Sequence, residues 1–321
     1  MGRADVYSQP DAPDPLLPAE LVRELVEPHL PSDLRLSDGM VVDESGGEAR
    51  VYLFNRADVG GGVAVKTQRP HRLRPRTSLA KEAALLAALA GPLAGRIPAV
   101  HGYDWVDTAE GPVELIVMSR VPGRPVCRTT IGRPARSELL RQLADVLREV
   151  HALDPADLVA SGLLPADEGV VGLRSRLEPN FADLAEKLEG RPASWPLTVS
   201  PSRVSALALD ALPAGPTQPV VVLHSNPGIT HTFTDQAGAL SGLIDFGDAY
   251  ASHPALDLRS WPDPDDRVEL RRHYLDGDTA IADWDAVWTS AMIYADMAAL
   301  SGPPAQAERA AADLRERLHH V

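Results

Sequence analysis

Apolar and polar positions along this chain change their spacing at about residue 120. Between 34 and 126 they alternate with a period of two in short runs, 40–42, 49–54, 63–67 and 113–118, set apart by glycine turns such as Gly60-Gly61-Gly62. That pattern predicts short antiparallel strands. One segment interrupts them: 78–90, SLAKEAALLAALA, whose Ala and Leu density predicts a helix. A shorter amphipathic helix is expected at 19–29, with Leu21, Leu25 and Val26 on one face. Val121-Pro122-Gly123 reads as a linker, and beyond it the period becomes helical. Leu139, Leu143, Leu147 and Val150 define a strong helix over 137–153. Further helical pieces are expected at 173–188, 202–212, 265–274, 284–300 and 305–319. Two β-like runs, 220–223 and 240–244, flank a polar loop inside this half. The expected plan is α+β: an extension over 1–33, a small sheet-bearing lobe over 34–120, and a helical lobe over 121–321 carrying a polar hairpin at 220–250. No internal repeat or low-complexity tract is visible.

Composition narrows the class without naming a chemistry. The 321 residues are 44% hydrophobic and 24% charged, as in ordinary soluble domains. No apolar run approaches the ~20 residues that span a bilayer. The opening MGRADVYSQPDAPDPLLP lacks a signal-peptide core, and Val6 breaks the myristoylation pattern, so no membrane partner and a cytoplasmic location are expected. The single Cys127 excludes an internal disulfide and a cysteine zinc cluster, and is expected to be partly buried. A net charge of −14 argues against nucleic acid and permits a cationic ligand, although solubility alone accounts for it.

The chemistry concentrates in 220–257, VVVLHSNPGITHTFTDQAGALSGLIDFGDAYASHPALD. Asp245-Phe246-Gly247 directly follows a β-like run, which suits a carboxylate held at a strand end for Mg²⁺ and nucleotide phosphates. Upstream, the alternating Val63-Ala64-Val65-Lys66 presents a lysine able to neutralise α- and β-phosphate oxygens if a carboxylate holds it. Glu82 is the carboxylate inside the predicted helix 78–90. Either residue alone reads as a solvated side chain; together, ahead of Asp-Phe-Gly, they form a pair. The loop Glu44-Ser45-Gly46-Gly47-Glu48 offers amides that can cover phosphates, with a plain hairpin turn as the alternative. Met118-Ser119-Arg120-Val121 offers backbone groups for a purine edge, with a simple linker as its alternative.

In order and spacing these features resemble the aminoglycoside phosphotransferase and choline kinase family, of protein-kinase-like fold, over about 34–300. The resemblance rests on Lys66, Glu82, Val121-Pro122-Gly123, the helix end Leu147–His151, His224-x-Asn226, Ile244-Asp245-Phe246-Gly247-Asp248 and His253-Pro254-Ala255-Leu256-Asp257-Leu258. It implies a two-lobe fold, ATP or GTP with Mg²⁺ as cofactors, and a small-molecule hydroxyl as acceptor. It further implies that Asp245 binds metal and that Glu82 partners Lys66. Gly46, Gly47, Met118 and Arg120 would then line the nucleotide. His224 and Asp257 would organise the loop, Asp257 through backbone amides. His231 stands where a metal-ligating asparagine is usual, and Mg²⁺ prefers oxygen donors.

Asn226 is the departure, since the family has an aspartate base there. An amide positions a hydroxyl but accepts no proton near neutral pH. Three readings stay open: an aspartate replaced to trap a complex, an enzyme using another base with Asp248 nearest in sequence, or a silent nucleotide-binding pseudokinase. A hydrolase or lyase using His224 or His231 is a more distant alternative. Cys127 and His151 make no convincing dyad, and His319-His320 is too short for a metal tract. Asp263, Asp265 and Asp266 read as helix-start carboxylates, or else as an acidic rim for a cation. Trp284, Trp288 and Tyr294 read as core, and no GxSxG or HExxH motif occurs.

Overall fold

A computed structural model describes residues 7–57, 61–74, 77–164, 172–191, 195–215, 217, 219–276 and 281–319. Gly60 of the expected glycine turn and His320 lie outside these, as do 1–6 of the expected extension. The chain divides into two compact units. One comprises the described residues up to Thr130 with His231–Ala249, and the other Ile131–Thr230 with the described residues from Tyr250 onward. The chain thus changes unit inside the segment that carries the chemistry.

The first unit begins with α1 (Ala19–Val26), followed by β1 (Leu36–Asp43), β2 (Ala49–Arg56), β3 (Gly62–Gln68), α2 (Leu79–Leu89), β4 (Val100–Thr108) and β5 (Gly111–Ser119). The strands form one antiparallel sheet in the order β1-β2-β3-β5-β4. Strand alternation splits β3 in two: Val63 and Val65 enter a core with Tyr52, Phe54, Leu115 and Val117, while Ala64 and Lys66 take the opposite face. α1 covers that core with Val22 and Val26, Leu21 and Leu25 packing at its edge, so Val22 replaces the expected Leu21 at the centre of the buried face. α2 buries Leu79, Glu82, Leu86 and Leu89, a stripe in which the carboxylate occupies a core position. β4 was not predicted from the sequence; His101-Gly102-Tyr103-Asp104-Trp105 has little apolar alternation, and the strand is held by its ladder to β5.

The same unit closes with β6 (Arg124–Pro125), β8 (Thr232–Thr234) and β9 (Leu240–Leu243), a small sheet in the order β6-β8-β9. Cys127 is exposed, contrary to expectation. It lies in a single 3-10 turn, Val126–Arg128, where Val126 takes the core position and the next side chain turns outward.

The second unit contains α3 (Arg133–His151), α4 (Pro155–Ala160), α5 (Leu173–Glu189), α6 (Pro201–Asp210), α7 (Pro264–Tyr274), α8 (Trp284–Ala299) and α9 (Pro304–Leu318). It also holds β7 (Val221–Leu223), paired with β10 (Tyr250–Ser252). The expected single hairpin over 220–250 is therefore two antiparallel pairs, β7 with β10 and β8 with β9. Trp284 and Trp288 are buried and stacked, with ring centroids 6.3 Å apart, whereas Tyr294 is only partly buried. No described helix is long and apolar enough to cross a membrane.

Candidate active site

Lys66 leaves the sheet on the face opposite the α1 core, beside Ile116 of β5. Its Nζ donates to Glu82 Oε2 at 2.7 Å and to Asp245 Oδ1. Glu82 is 1% exposed, and a carboxylate so buried needs a partner. Its second oxygen, Oε1, accepts the Phe246 amide at 3.2 Å, so one side chain holds both the lysine and the backbone after Asp245. Burial by itself pulls the Lys66 ammonium down, but Asp245 and Glu82 more than offset it and hold the group above its ordinary value. Burial pushes Glu82 up, and the Lys66 charge opposes it. With two carboxylates on one ammonium, the cluster is built as an ion pair.

Asp245 ends the run after β9 with φ of +74°, a left-handed conformation disfavoured for a non-glycine residue. That turn aims its carboxylate back at Lys66. Oδ2 lies 3.2 Å from His231 Nε2, where His231 sits at the start of β8 and accepts the Ile244 amide on its carbonyl. Gly247 approaches α2 closely; its carbonyl accepts the Ser78 amide at the helix start. Asp248 is engaged through both oxygens, Oδ1 by Thr77 Oγ1 at 2.6 Å and Oδ2 by Arg74 at 2.8 Å. A role as base would require it to leave these partners.

Arg74, Thr77 and Lys81 were not singled out by the sequence. Arg74 also pairs with Glu48, tying the loop over 44–48 to Asp248. Lys81, 2% exposed, donates to the Ala249 carbonyl at 2.6 Å. A lysine on an alanine-rich helix gives no sign that it is a core residue; only the α2 packing shows it. In the same loop Gly47 has open space where a Cβ would stand, and a Cβ at Gly46 would meet the Ala49 carbonyl at 3.0 Å. At the end of β5, Met118 is buried in the sheet and Arg120 reaches Asn55 Oδ1 at 3.1 Å. The Ser119 and Arg120 amides donate to Ala99 and Gly62. Among the described residues neither the Val121 nor the Gly123 amide of the linker makes such a bond.

In the second unit, β7 leads into His224-Ser225-Asn226-Pro227-Gly228. Asp257, fully buried, accepts the His224 amide on Oδ2 and the Ser225 amide on Oδ1, both at 2.8 Å. His151 Nε2 lies 3.0 Å from Asp257 Oδ2, and its Nδ1 lies 2.7 Å from the Tyr274 hydroxyl. Burial, with the Asp257 charge, pushes Tyr274 up, so it stays a phenol. The His224 ring, buried, accepts the Asn226 amide on Nδ1 at 3.2 Å. Ser225 turns at φ +87°. Gly228 is required sterically: a Cβ there would stand 2.7 Å from the Ser260 carbonyl and 3.2 Å from Asn226 Oδ1. Trp261 Nε1 donates to the Pro227 carbonyl at 3.1 Å. The loop that presents Asn226 is thus held at its amides by Asp257 and on its flank by Ser260 and Trp261.

Asp263 caps α7 by accepting the Asp265 amide, and the three carboxylates 263, 265 and 266 are paired, the first two with Arg309 and the third with Arg136. They serve as helix-start carboxylates.

A lysine–glutamate pair set between an antiparallel sheet and its helix, with an Asp-Phe-Gly carboxylate completing it, defines a protein-kinase-like α+β fold. The sequence matches the phosphotransferase enzyme family over residues 40–287, and the chain belongs to that family. It is similar to APH(2")-IIa, solved in a ternary complex with streptomycin and ATP, at TM-score 0.55 and 16% identity over 94% of this chain and 97% of that one. It is also similar to aminoglycoside 2'-phosphotransferase-IIIa, solved with GDP, at TM-score 0.61 and 18% identity over 94% and 98%. Macrolide 2'-phosphotransferase type I gives TM-score 0.53 and 18% identity over 94% and 98%. At these identities the likeness is one of fold. No curated protein matches the sequence.

Among the described residues no three His, Cys, Asp or Glu side chains converge on one point as a metal cage. Mg²⁺ beside phosphates needs only one or two carboxylates, the remaining donors being phosphate oxygens and water. Asp245, with a side chain 39% exposed, fits that requirement. His231 offers nitrogen and already touches the carboxylate, so its geometry suits orienting Asp245.

Proposed function

We propose that this chain is a nucleoside-triphosphate-dependent O-phosphotransferase that moves a γ-phosphoryl group to a hydroxyl of a small molecule, an antibiotic or another secondary metabolite, drawing on the cytoplasmic nucleotide pool. The observation that carries it is the Lys66 ammonium shared by Glu82 and Asp245. Lys66 neutralises α- and β-phosphate oxygens, and Glu82 fixes its direction. The amides of Gly46 and Gly47 cover the phosphates, and the Val121 amide with the neighbouring Met118 and Arg120 receives the purine. The solved relatives carry ATP in one case and GDP in the other, which supports a nucleotide of either purine here. Asp245 would hold Mg²⁺, which when bound neutralises charge on the β- and γ-phosphates.

Asn226 receives the acceptor hydroxyl on its amide oxygen but takes no proton. In a loose transition state the bond to the departing nucleoside diphosphate breaks ahead of bond formation, and the acceptor proton leaves late, to a phosphoryl oxygen or water. Alignment then does most of the work, and the loss of a base slows transfer by about 10²–10⁴-fold. A second reading, a nucleotide-binding protein without transfer, is favoured by the same Asn226. One comparison separates them: Mg²⁺-ATP thermal shift and slow phosphate turnover, measured for this chain and for Asn226→Asp. Binding in both with turnover raised in the aspartate form supports a slowed kinase. Binding in both with turnover in neither supports the silent protein, and no binding in either overturns the nucleotide reading.

A further inference from the structure

Arg259 follows Asp257 by two residues, at the end of the 3-10 segment Pro254–Ser260. Its guanidinium lies over the Tyr294 ring of α8, with Cζ 4.8 Å from the centroid, and Tyr294 in turn meets Phe181 of α5 edge-on at 5.3 Å. The plane is therefore set by packing. Nη1 is sealed from solvent without a hydrogen-bond partner among the described residues, while the side chain as a whole is only partly buried. No carboxylate among the described residues pairs with it. The neighbouring acids are committed elsewhere: Asp257 to the loop amides and His151, Asp263 and Asp265 to Arg309, Asp266 to Arg136. The next residue, Ser260, packs on Gly228 within the loop that bears Asn226. With Nη1 turned inward, the edge of this stacked arginine left to a ligand is Nε and Nη2, a pre-oriented fork for an oxyanion with no counter-ion among the described residues.

We propose that Arg259 is an anion-recognition point of the acceptor site, so that the acceptor of this chain carries a carboxylate or phosphate within reach of the hydroxyl that Asn226 receives. This rests on the phosphotransferase reading. It also disfavours polycations: Asp263, Asp265 and Asp266, next along the chain, are paired with arginines, whereas Arg259 has no carboxylate partner among the described residues. Arginine rather than lysine suits the position, because the flat guanidinium both stacks on Tyr294 and presents paired donors.

The test uses hexoses matched in hydroxyls and different in charge. Glucuronate, glucose 6-phosphate, glucose and glucosamine are titrated at constant ionic strength into the full chain. The Arg259 side-chain N–H signal, identified by its loss in Arg259→Lys, is followed by NMR. Expected are saturable shifts with the two anions, at least about tenfold weaker binding of glucose and glucosamine, and about tenfold weaker anion binding in Arg259→Met. Whichever of glucuronate and glucose 6-phosphate binds more tightly tells carboxylate from phosphate. Arg259→Lys, which keeps the charge and loses the fork, should fall in between and covers the case in which the methionine variant fails to fold. Equal shifts with plain chloride, an adventitious ion only, would overturn the proposal, as would tighter binding of glucosamine or unchanged anion binding in both variants. Mg²⁺-ATP thermal shift, run in parallel on every variant, separates the two ideas. An intact nucleotide shift with no anion preference defeats this inference alone; anion binding without any nucleotide shift defeats the phosphotransferase reading instead.

Discussion

Asn226 differs from aspartate by an amide nitrogen in place of a carboxylate oxygen, and the surrounding loop is built as if the position mattered. Asp257 holds two amides ahead of it, Gly228 gives way beside it, and Ser225 accepts a strained turn. Asn226→Asp should therefore raise phosphate turnover by about 10²–10⁴-fold while leaving the nucleotide-induced thermal shift where it was. A loss of that shift in the aspartate form would mean that the loop is not a neutral host for the base. Lys66→Met leaves Glu82 buried without its ammonium and should cost about 3–5 kcal/mol. Adding Glu82→Gln should restore most of the stability yet no nucleotide binding; chemical denaturation and thermal shift together read the two effects apart. If the double variant is as unstable as the single one, the pair is not what holds the sheet to α2. At this scale Lys66, Glu82 and Asp245 are legible from their order along the chain. Arg74, Thr77 and Lys81 are not, because their contacts join residues 168 to 174 positions apart.

Elements place these side chains. β3 delivers Lys66 to the α2 face because alternation sends Val63 and Val65 the other way, and α2 answers with Glu82 in its apolar stripe. The pairing of Lys66 with Glu82 was legible only from their order ahead of Asp-Phe-Gly, whereas the strand and the helix were legible from period. β4 was not, because its outer residues are polar and its stability comes from pairing with β5. The 3-10 segment Pro254–Ser260 is capped by His253, whose Nδ1 accepts the Ala255 amide and whose Nε2 meets the Ala282 carbonyl. Burial holds this histidine below its ordinary value, despite partial compensation from the Ala282 contact. The unfolded chain therefore binds the proton first as pH falls below about 6.5. Its contribution to stability is full above that value and is lost as pH falls through the depressed folded value. His253→Asn keeps a capping oxygen without the titration. Its stability should fall less steeply between about pH 7 and pH 5 than that of the parent chain, by urea denaturation at each pH. Equal slopes would remove His253 from the acid response.

For the whole molecule, membership of the phosphotransferase enzyme family and a fold shared with solved phosphotransferases are the ground on which the nucleotide proposal is tested. A nucleotide bound to the native state alone should stabilise the protein by about 2.7 kcal/mol at a hundredfold excess over Kd. We expect EDTA to remove most of that gain and Asp245→Ala to abolish its Mg²⁺-dependent part, by thermal shift. A gain indifferent to EDTA would place the divalent ion outside the binding event. The sequence by itself determined the alternation that builds the sheet, the helical period of the second half, and the order of lysine, glutamate and Asp-Phe-Gly, because these are local or ordinal properties of a chain. Only the tertiary structure decided that the polar segment is two strand pairs, that Asp248 and the acids of α7 are already paired, and that Arg259 stacks on Tyr294 without a counter-ion. Ion pairing and stacking are set by which distant surfaces come together, and nothing in the neighbours of a residue along the chain records that.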